Sequence, residues 1–249
     1  MTPSNPLSYI LVHGAWTGSW IWQPVLQPLR DHGHEVLCVE LPGHAQASSL
    51  AAADIRFADY LASIEQAIDA AQYPVVLVGH SFAGLLISQA GEDYAEQVSG
   101  LIYLCAFMLP SGCSFLQATA GAQGSVALEH LQFAADGHSV SIAAEHQHRA
   151  VAQDLPAASF AQVQPLFVAE PTAPLAQELR LSSRWAELPR AYLECTADQA
   201  LPLAVQRAMQ EQLPPHYRAS LDSGHSPQFS ATQALLQHLL QAAAALIRS

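Results

Sequence analysis

A serine stands at an abrupt junction in Gly79-His80-Ser81-Phe82-Ala83-Gly84, between the apolar run VVLV and a stretch of small residues with helical character. Two fates suit a serine there. It caps the helix that follows, or it is held on a tight strand-to-helix turn as a nucleophile. The second fate needs a base to take its proton, an acid to orient that base, and backbone donors for an oxyanion. On a doubly wound sheet these partners follow in the chain order Ser, Asp or Glu, His. Asp198 comes just after the strand-like run RAYLEC, and His225 lies in LDSGHSPQF after the last such run. At the first run, LVHGAW, His13-Gly14 turns the chain so that the N–H of Ala15 can face a carbonyl over Ser81. The N–H of Phe82, at the start of the next helix, supplies a second donor, helped by the positive end of that helix.

Each feature has a competitor. Asp31, Asp54, Asp59 and Asp69 precede Ser81, and Asp222 is too close to His225 in sequence to hold it from a separate loop. A helix cap for LPLAVQRAMQ is the competing role of Asp198. His225 is one of 12 histidines. His130, His138, His146 and His148 fall in a long interval where EHQHR looks like a scrap of metal site; with no partner cluster it reads as a solvated helix face. HGAWTGSW matches neither dinucleotide-binding nor P-loop glycine spacing. A tight elbow wants small residues two before and two after the serine. Gly79 meets the first demand, but the second position holds Ala83, followed by Gly84, and overpacking there can cost about 1–3 kcal/mol. Order and context together assign Ser81 as nucleophile, Asp198 as acid, His225 as base, and Ala15 and Phe82 as oxyanion donors.

Short apolar runs alternate with helical patterns along the chain, which predicts an α/β fold with a doubly wound, mostly parallel sheet. SYILVHG, HEVLCVELPG, PVVLVG, VSGLIYLCAF, RAYLECTAD and HYRASLDSG read as strands. Between them, RFADYLASIEQAIDAA carries apolar residues at Phe57, Leu61, Ile64 and Ile68, a helical stripe. Residues 108–185 break the rhythm: rich in Ala, Gln and His, they offer helical pieces and no convincing strand. They read as a helical cap inserted into a core formed by residues 1–107 and 186–249, roofing the carboxyl ends of the strands where ligands bind. Phe115, Leu116, Phe133, Phe160, Leu166 and Phe167 are the cap's candidates for lining a pocket.

Composition narrows the partners. The 249 residues are 51% hydrophobic and 12% charged, which argues against disorder. All nine basic residues are arginine and the net charge is −12, so nucleic acid is excluded as a partner. No apolar run has the length of a membrane span, and the opening MTPSNP has neither the basic nor the apolar region of a secretory signal. The four cysteines show no C-x-x-C spacing and sit mostly in apolar runs, so a reducing cytoplasm is the natural compartment. Nothing here chooses between a monomer and a homodimer.

LVHGAWTGSWIWQPVLQPLRDHGHEVLCVELPGH, VVLVGHSFAG, YLCAFMLPSG and YLECTADQALPLAVQRAMQ resemble the α/β-hydrolase superfamily. More closely, they resemble its hydroxynitrile lyase and plant methylesterase branch with the bacterial carboxylesterase relatives, pyrethroid-type hydrolases included. The likeness spans nearly the whole chain and is densest outside residues 108–185. It implies a Ser81–His225–Asp198 triad, Ala15 and Phe82 as oxyanion donors, a cap over an apolar pocket, a small-molecule ester substrate and no cofactor. Ala83 and the divergent cap depart from the pattern, and the second leaves the substrate open. Three rival activities use the same scaffold: cyanohydrin lysis, cofactor-free oxygenation of a heteroaromatic ring, and ligand reception without turnover. In the lyase branch a threonine follows the first-strand histidine and a lysine follows the catalytic histidine. Here those places hold Gly14 and Ser226, and the chain has no lysine.

Overall fold

The computed structural model describes residues 5–45, 48–121 and 123–247, so the first four residues of the opening segment lie outside it. The first strand lies inside the sheet, next to its edge. Strand β1 (Ser8–Val12) leads through helix α1 (Gln23–Asp31) to the edge strand β2 (Glu35–Val39). Helix α2 (Phe57–Ala70) then carries the chain back past β1 to β3 (Val75–His80). From there α3 (Ala83–Asp93) leads to β4 (Val98–Leu104). A long insertion follows, after which come β8 (Arg190–Cys195), α10 (Leu203–Gln212), β9 (Tyr217–Leu221) and the closing helices α11 (Pro227–Ser230) and α12 (Thr232–Ile247). The six strands lie in the order β2-β1-β3-β4-β8-β9 with every pairing parallel. Strand order reverses between β1 and β3, and ligands bind at such a switch point outside the carboxyl ends of the strands.

Two apolar layers sandwich the sheet because alternate residues of each strand point to opposite faces. Tyr9, Leu11, Val76, Val78, Ile102 and Leu104 join Val25 and Leu29 of α1 and Leu235 and Leu239 of α12. Ile10, Val12, Leu77, Leu101 and Tyr103 join Tyr60 and Ile64 of α2 and Leu86 of α3. Burial on both faces explains why these strands read as unbroken apolar runs. The stripe on α2 is nearly as expected: Phe57, Ile64 and Ile68 are buried, but Tyr60 joins them while Leu61 is only partly covered.

The insertion is not purely helical, which corrects the expectation of a helical cap. Its helices are α4 (Phe115–Thr119), α5 (Val126–Glu129), α6 (Ala144–Val151), α7 (Ala157–Val163), α8 (Thr172–Ala176) and α9 (Ser183–Glu187). Among them β5 (Leu131–Phe133), β6 (Ser139–Ile142) and β7 (Glu170–Pro171) form an antiparallel sheet in that order. Strands of two to four residues are too short to display an alternating pattern, and β7 includes a proline. Pairing across the insertion, not local propensity, creates them.

Candidate active site

Ser81 sits between β3 and α3 with φ 57°, a left-handed conformation that a residue with a side chain rarely adopts. Tertiary bonds hold it there. Its N–H donates to the Leu104 carbonyl at 3.2 Å, and its carbonyl accepts from Gly84 at 3.1 Å and from Phe107 at 3.0 Å. Such strain costs about 1–3 kcal/mol and persists where the surroundings over-determine it. The small residues around the serine have contacts to match. A Cβ on Gly79 would lie 2.7 Å from the Ala83 carbonyl oxygen, and one on Gly84 would run into the Phe107 carbonyl. The tight position after the serine is therefore Gly84, and the methyl of Ala83 is buried in the apolar layer. β4 ends at Leu104 rather than running on to Phe107, because Cys105 takes φ 34° and turns the chain toward Ser81.

After β1 the chain passes directly over Ser81. A Cβ on Gly14 would stand 2.8 Å from Ser81 Cβ, so glycine is required by the approach. The Gly14 carbonyl accepts from His13 Nδ1 at 2.9 Å and from Thr17 Oγ1 at 3.1 Å. His13 Nε2 accepts from the Leu41 N–H at 3.1 Å, so the ring is neutral, and burial pushes its pKa down. The result bears on two amides. Among the described residues, neither the Ala15 N–H nor the Phe82 N–H has a hydrogen-bond acceptor, although both residues are buried and flank Ser81. Unpaired buried N–H groups are rare in folded proteins.

The carboxylate of Asp198 divides its oxygens. Oδ1 accepts from the N–H groups of Ala200 and Leu201, both at 2.8 Å, while Oδ2 accepts from His225 Nδ1 at 2.7 Å. The cap-like role and the histidine partnership coexist in one side chain, and the N-cap of α10 itself is Pro202. With Nδ1–H given to Asp198, the lone pair of His225 is on Nε2. The histidine loop is tied down on three sides. Gly224 N–H donates to Asp154 at 2.6 Å, Ser226 Oγ donates to the Val151 carbonyl at 2.6 Å, and the His225 carbonyl accepts from His80 Nε2 at 2.7 Å. Asp222, the competing carboxylate, is exposed and meets Thr196 at 3.4 Å.

An apolar cavity touches Ser81, Ala15 and Phe82 and is walled by Trp16, Phe107, Phe115, Leu128 and Leu201. Of the six insertion residues expected to line a pocket, Phe115 does so. Leu116 and Phe133 are exposed, and Phe160 is buried edge-on against Phe167.

The insertion histidines gather less than their number suggests. His130 and His146 stack with ring centres 3.5 Å apart, while His148 donates to the Leu155 carbonyl at 2.8 Å. Among the described residues, the one group of three metal-ligating side chains is His80, Cys105 and His225. One nitrogen of each ring is engaged, His225 Nδ1 with Asp198 and His80 Nε2 with the His225 carbonyl, and the Cys105 thiol is held protonated by burial and by its neighbours Cys195 and Asp198.

The α/β hydrolase family model matches residues 9–238. The chain belongs to the α/β hydrolase family. It is 26% identical over 236 residues to a pyrethroid hydrolase of Sphingobium wenxiniae, covering 92% of this chain and 84% of that one. A putative chloroplastic methylesterase of Arabidopsis thaliana, methylesterase 11, is 28% identical over 248 residues, 94% of this chain and 63% of the plant protein. The crystal structure of a pyrethroid hydrolase superposes with a TM-score of 0.86 at 25% identity, covering 98% of this chain and all (100%) of the other. Among the described residues, no helix of this α/β hydrolase is long and apolar enough to cross a membrane.

Sequence reading overlooked four residues around this site: Trp16, His80, Cys105 and Glu170. Only His80 carried a local signal, its place immediately before the serine. The others act through partners far away in the chain, which no spacing rule anticipates.

Proposed function

We propose that this α/β hydrolase cleaves small to medium apolar carboxylic esters through an acyl-enzyme on Ser81. His225 takes the Ser81 proton at Nε2 as the hydroxyl oxygen attacks the ester carbonyl. Asp198 holds the imidazole tautomer and stabilises the imidazolium that forms. The oxyanion is received by the N–H groups of Ala15 and Phe82. His225 then protonates the departing alcohol, and a water activated by the same ring releases the acid. The observation that carries this reading is a pair of main-chain amides, in the buried residues Ala15 and Phe82, that have no acceptor among the described residues and stand beside a serine held at positive φ. Donors preorganised and left without partners are what a developing oxyanion requires, and they account for much of the rate in acyl transfer.

The apolar walls favour an uncharged substrate, and the relatives known as a pyrethroid hydrolase and a methylesterase support ester chemistry. Residues 108–185 act as the selecting cap. Phe115 of α4 and Leu128 of α5 wall the cavity at Ser81, so these two helices form part of the surface an ester would meet. The test is turnover of short p-nitrophenyl esters by the purified protein and by Ser81→Ala. The wild type should hydrolyse them and the variant should lose about 10⁴–10⁶ in kcat. A serine-directed phosphonate should add its mass at Ser81 and nowhere else. Labelling elsewhere, or equal turnover by the variant, would end the proposal.

A further inference from the structure

A second buried carboxylate stands close behind the oxyanion loop. Glu170, on β7 of the insertion, is fully buried. Its Oε2 accepts from the main-chain N–H of Trp16 at 3.2 Å and from His44 Nε2 at 2.8 Å, while Oε1 accepts from the Tyr60 hydroxyl at 2.8 Å. The other nitrogen of His44 faces the Pro42 carbonyl at 3.2 Å, an acceptor, so both ring nitrogens bear hydrogens and the ring is an imidazolium. Burial opposes that charge, but the carboxylate overcomes it and leaves the His44 pKa raised. The pair is neutral as a whole, so Glu170 sits near an oxyanion site without repelling negative charge from it.

Trp16 is the residue it grips. Besides its N–H, Trp16 donates from Nε1 to the Val140 carbonyl at 2.9 Å and accepts at its own carbonyl from Val168 at 3.0 Å. All three partners belong to the insertion. Trp16 has φ 63°, which a tryptophan keeps only under outside constraint. Its N–H belongs to the peptide unit that joins it to Ala15. The preceding unit contains both the Gly14 carbonyl, pinned by His13 and Thr17, and the Ala15 N–H. Peptide units are planar, so pinning two successive units leaves the Ala15 N–H a single direction.

We propose that Glu170 is a positioning residue for the reaction at Ser81. From the insertion it fixes the peptide after Ala15, and with it the aim of the Ala15 N–H at the oxyanion. The inference rests on the reading of Ser81 and Ala15 given above.

The experiment uses the full chain, a short p-nitrophenyl ester, a trifluoromethyl ketone that forms a tetrahedral adduct, and the planar product acid. Glu170→Gln removes the charge and Glu170→Asp withdraws the carboxylate from Trp16. In folded protein each should lower kcat about ten- to hundredfold with KM within about twofold, because misaimed donors cost rate rather than ground-state binding. The ketone should lose affinity by the same factor as kcat, and the product acid should bind as before. Wild-type rates in either folded variant, or a kcat loss that the ketone does not share, overturn the proposal. Failure of both variants to fold also overturns it, by assigning the cluster to stability alone. Wild type and Ser81→Ala run alongside. If the wild type turns over no ester, the esterase reading fails; if it does while Glu170 variants match it, only this inference fails.

Discussion

The ring of His80 donates through Nε2 to the main-chain oxygen of His225 at 2.7 Å, so the residue before Ser81 anchors the loop that carries the imidazole. The two rings lie 4.7 Å apart. Among the described residues His80 Nδ1 has no partner, and the side chain is buried, which makes the ring neutral. Burial and the neighbouring His225 hold its pKa well below the ordinary value.

That geometry sets a pH dependence. The unfolded chain binds a proton at His80 and His13 below about pH 6.5, while the folded state, with both pKa values depressed by burial, does not. Their contribution to stability is full above that pH and is lost as pH falls toward the folded values, at up to about 1.4 kcal/mol per pH unit for each proton. His44 works the opposite way: its pKa is raised, so its contribution is full below about pH 6.5 and fades as pH climbs through the folded value. Thermal unfolding between roughly pH 7.5 and 5 should show Tm falling on the acid side. His80→Gln, which keeps a donor for the His225 carbonyl, should flatten that limb by one proton. Superimposable acid limbs would contradict the assignment.

Asp198 and Asp222 should separate cleanly. Asp198→Asn offers the wrong partner to His225 Nδ1–H and should lower kcat by roughly 10³–10⁴. Asp222→Asn should change it little, since that carboxylate is exposed and, among the described residues, bonds only to Thr196, at 3.4 Å. Ester kinetics on the two variants decide it, and the reverse order would show the wrong acid had been assigned.

Gly84, not Ala83, is the intolerant position after the serine. Gly84→Ala drives a methyl into the Phe107 carbonyl, backbone that also bonds to Ser81, and should cost about 1–3 kcal/mol or more along with activity. Ala83→Gly, at the first position of α3, should cost at most about 1 kcal/mol. Denaturant titration measures both, and equal losses would refute the contact argument.

Cyanide release should be absent. The lyase branch uses a threonine where Gly14 stands, and here a Cβ at that place would come within 2.8 Å of Ser81 Cβ. Its lysine position is Ser226, whose hydroxyl is committed to the Val151 carbonyl at 2.6 Å, and the chain has no lysine to substitute. Without a cation at the leaving group, cyanide expulsion lacks its electrostatic support while acyl transfer loses nothing. Mandelonitrile and acetone cyanohydrin should give no cyanide above a Ser81→Ala control. Triad-dependent release rivalling ester turnover would overturn the esterase reading.

By itself the sequence determined the parallel sheet, the helices between its strands, and the stations of Ser81, Asp198 and His225 just past strand ends. Those are local properties: strands buried on both faces must be apolar runs, and a turn that crowds Gly79 and Gly84 must spell itself in small residues. Tertiary structure alone decided what depends on residues distant in the chain. It made strands of Leu131–Phe133, Ser139–Ile142 and Glu170–Pro171, whose two to four residues carry no period of their own. It turned Phe115 toward Ser81 and Phe133 toward solvent, though both are phenylalanines of the same insertion. It bent Trp16 and Cys105 into left-handed backbone, and it brought Glu170 to His44 across 126 positions and to Tyr60 across 110. A buried charge is stable only where its partners converge on it, and that convergence is a property of the packed fold rather than of any stretch of sequence.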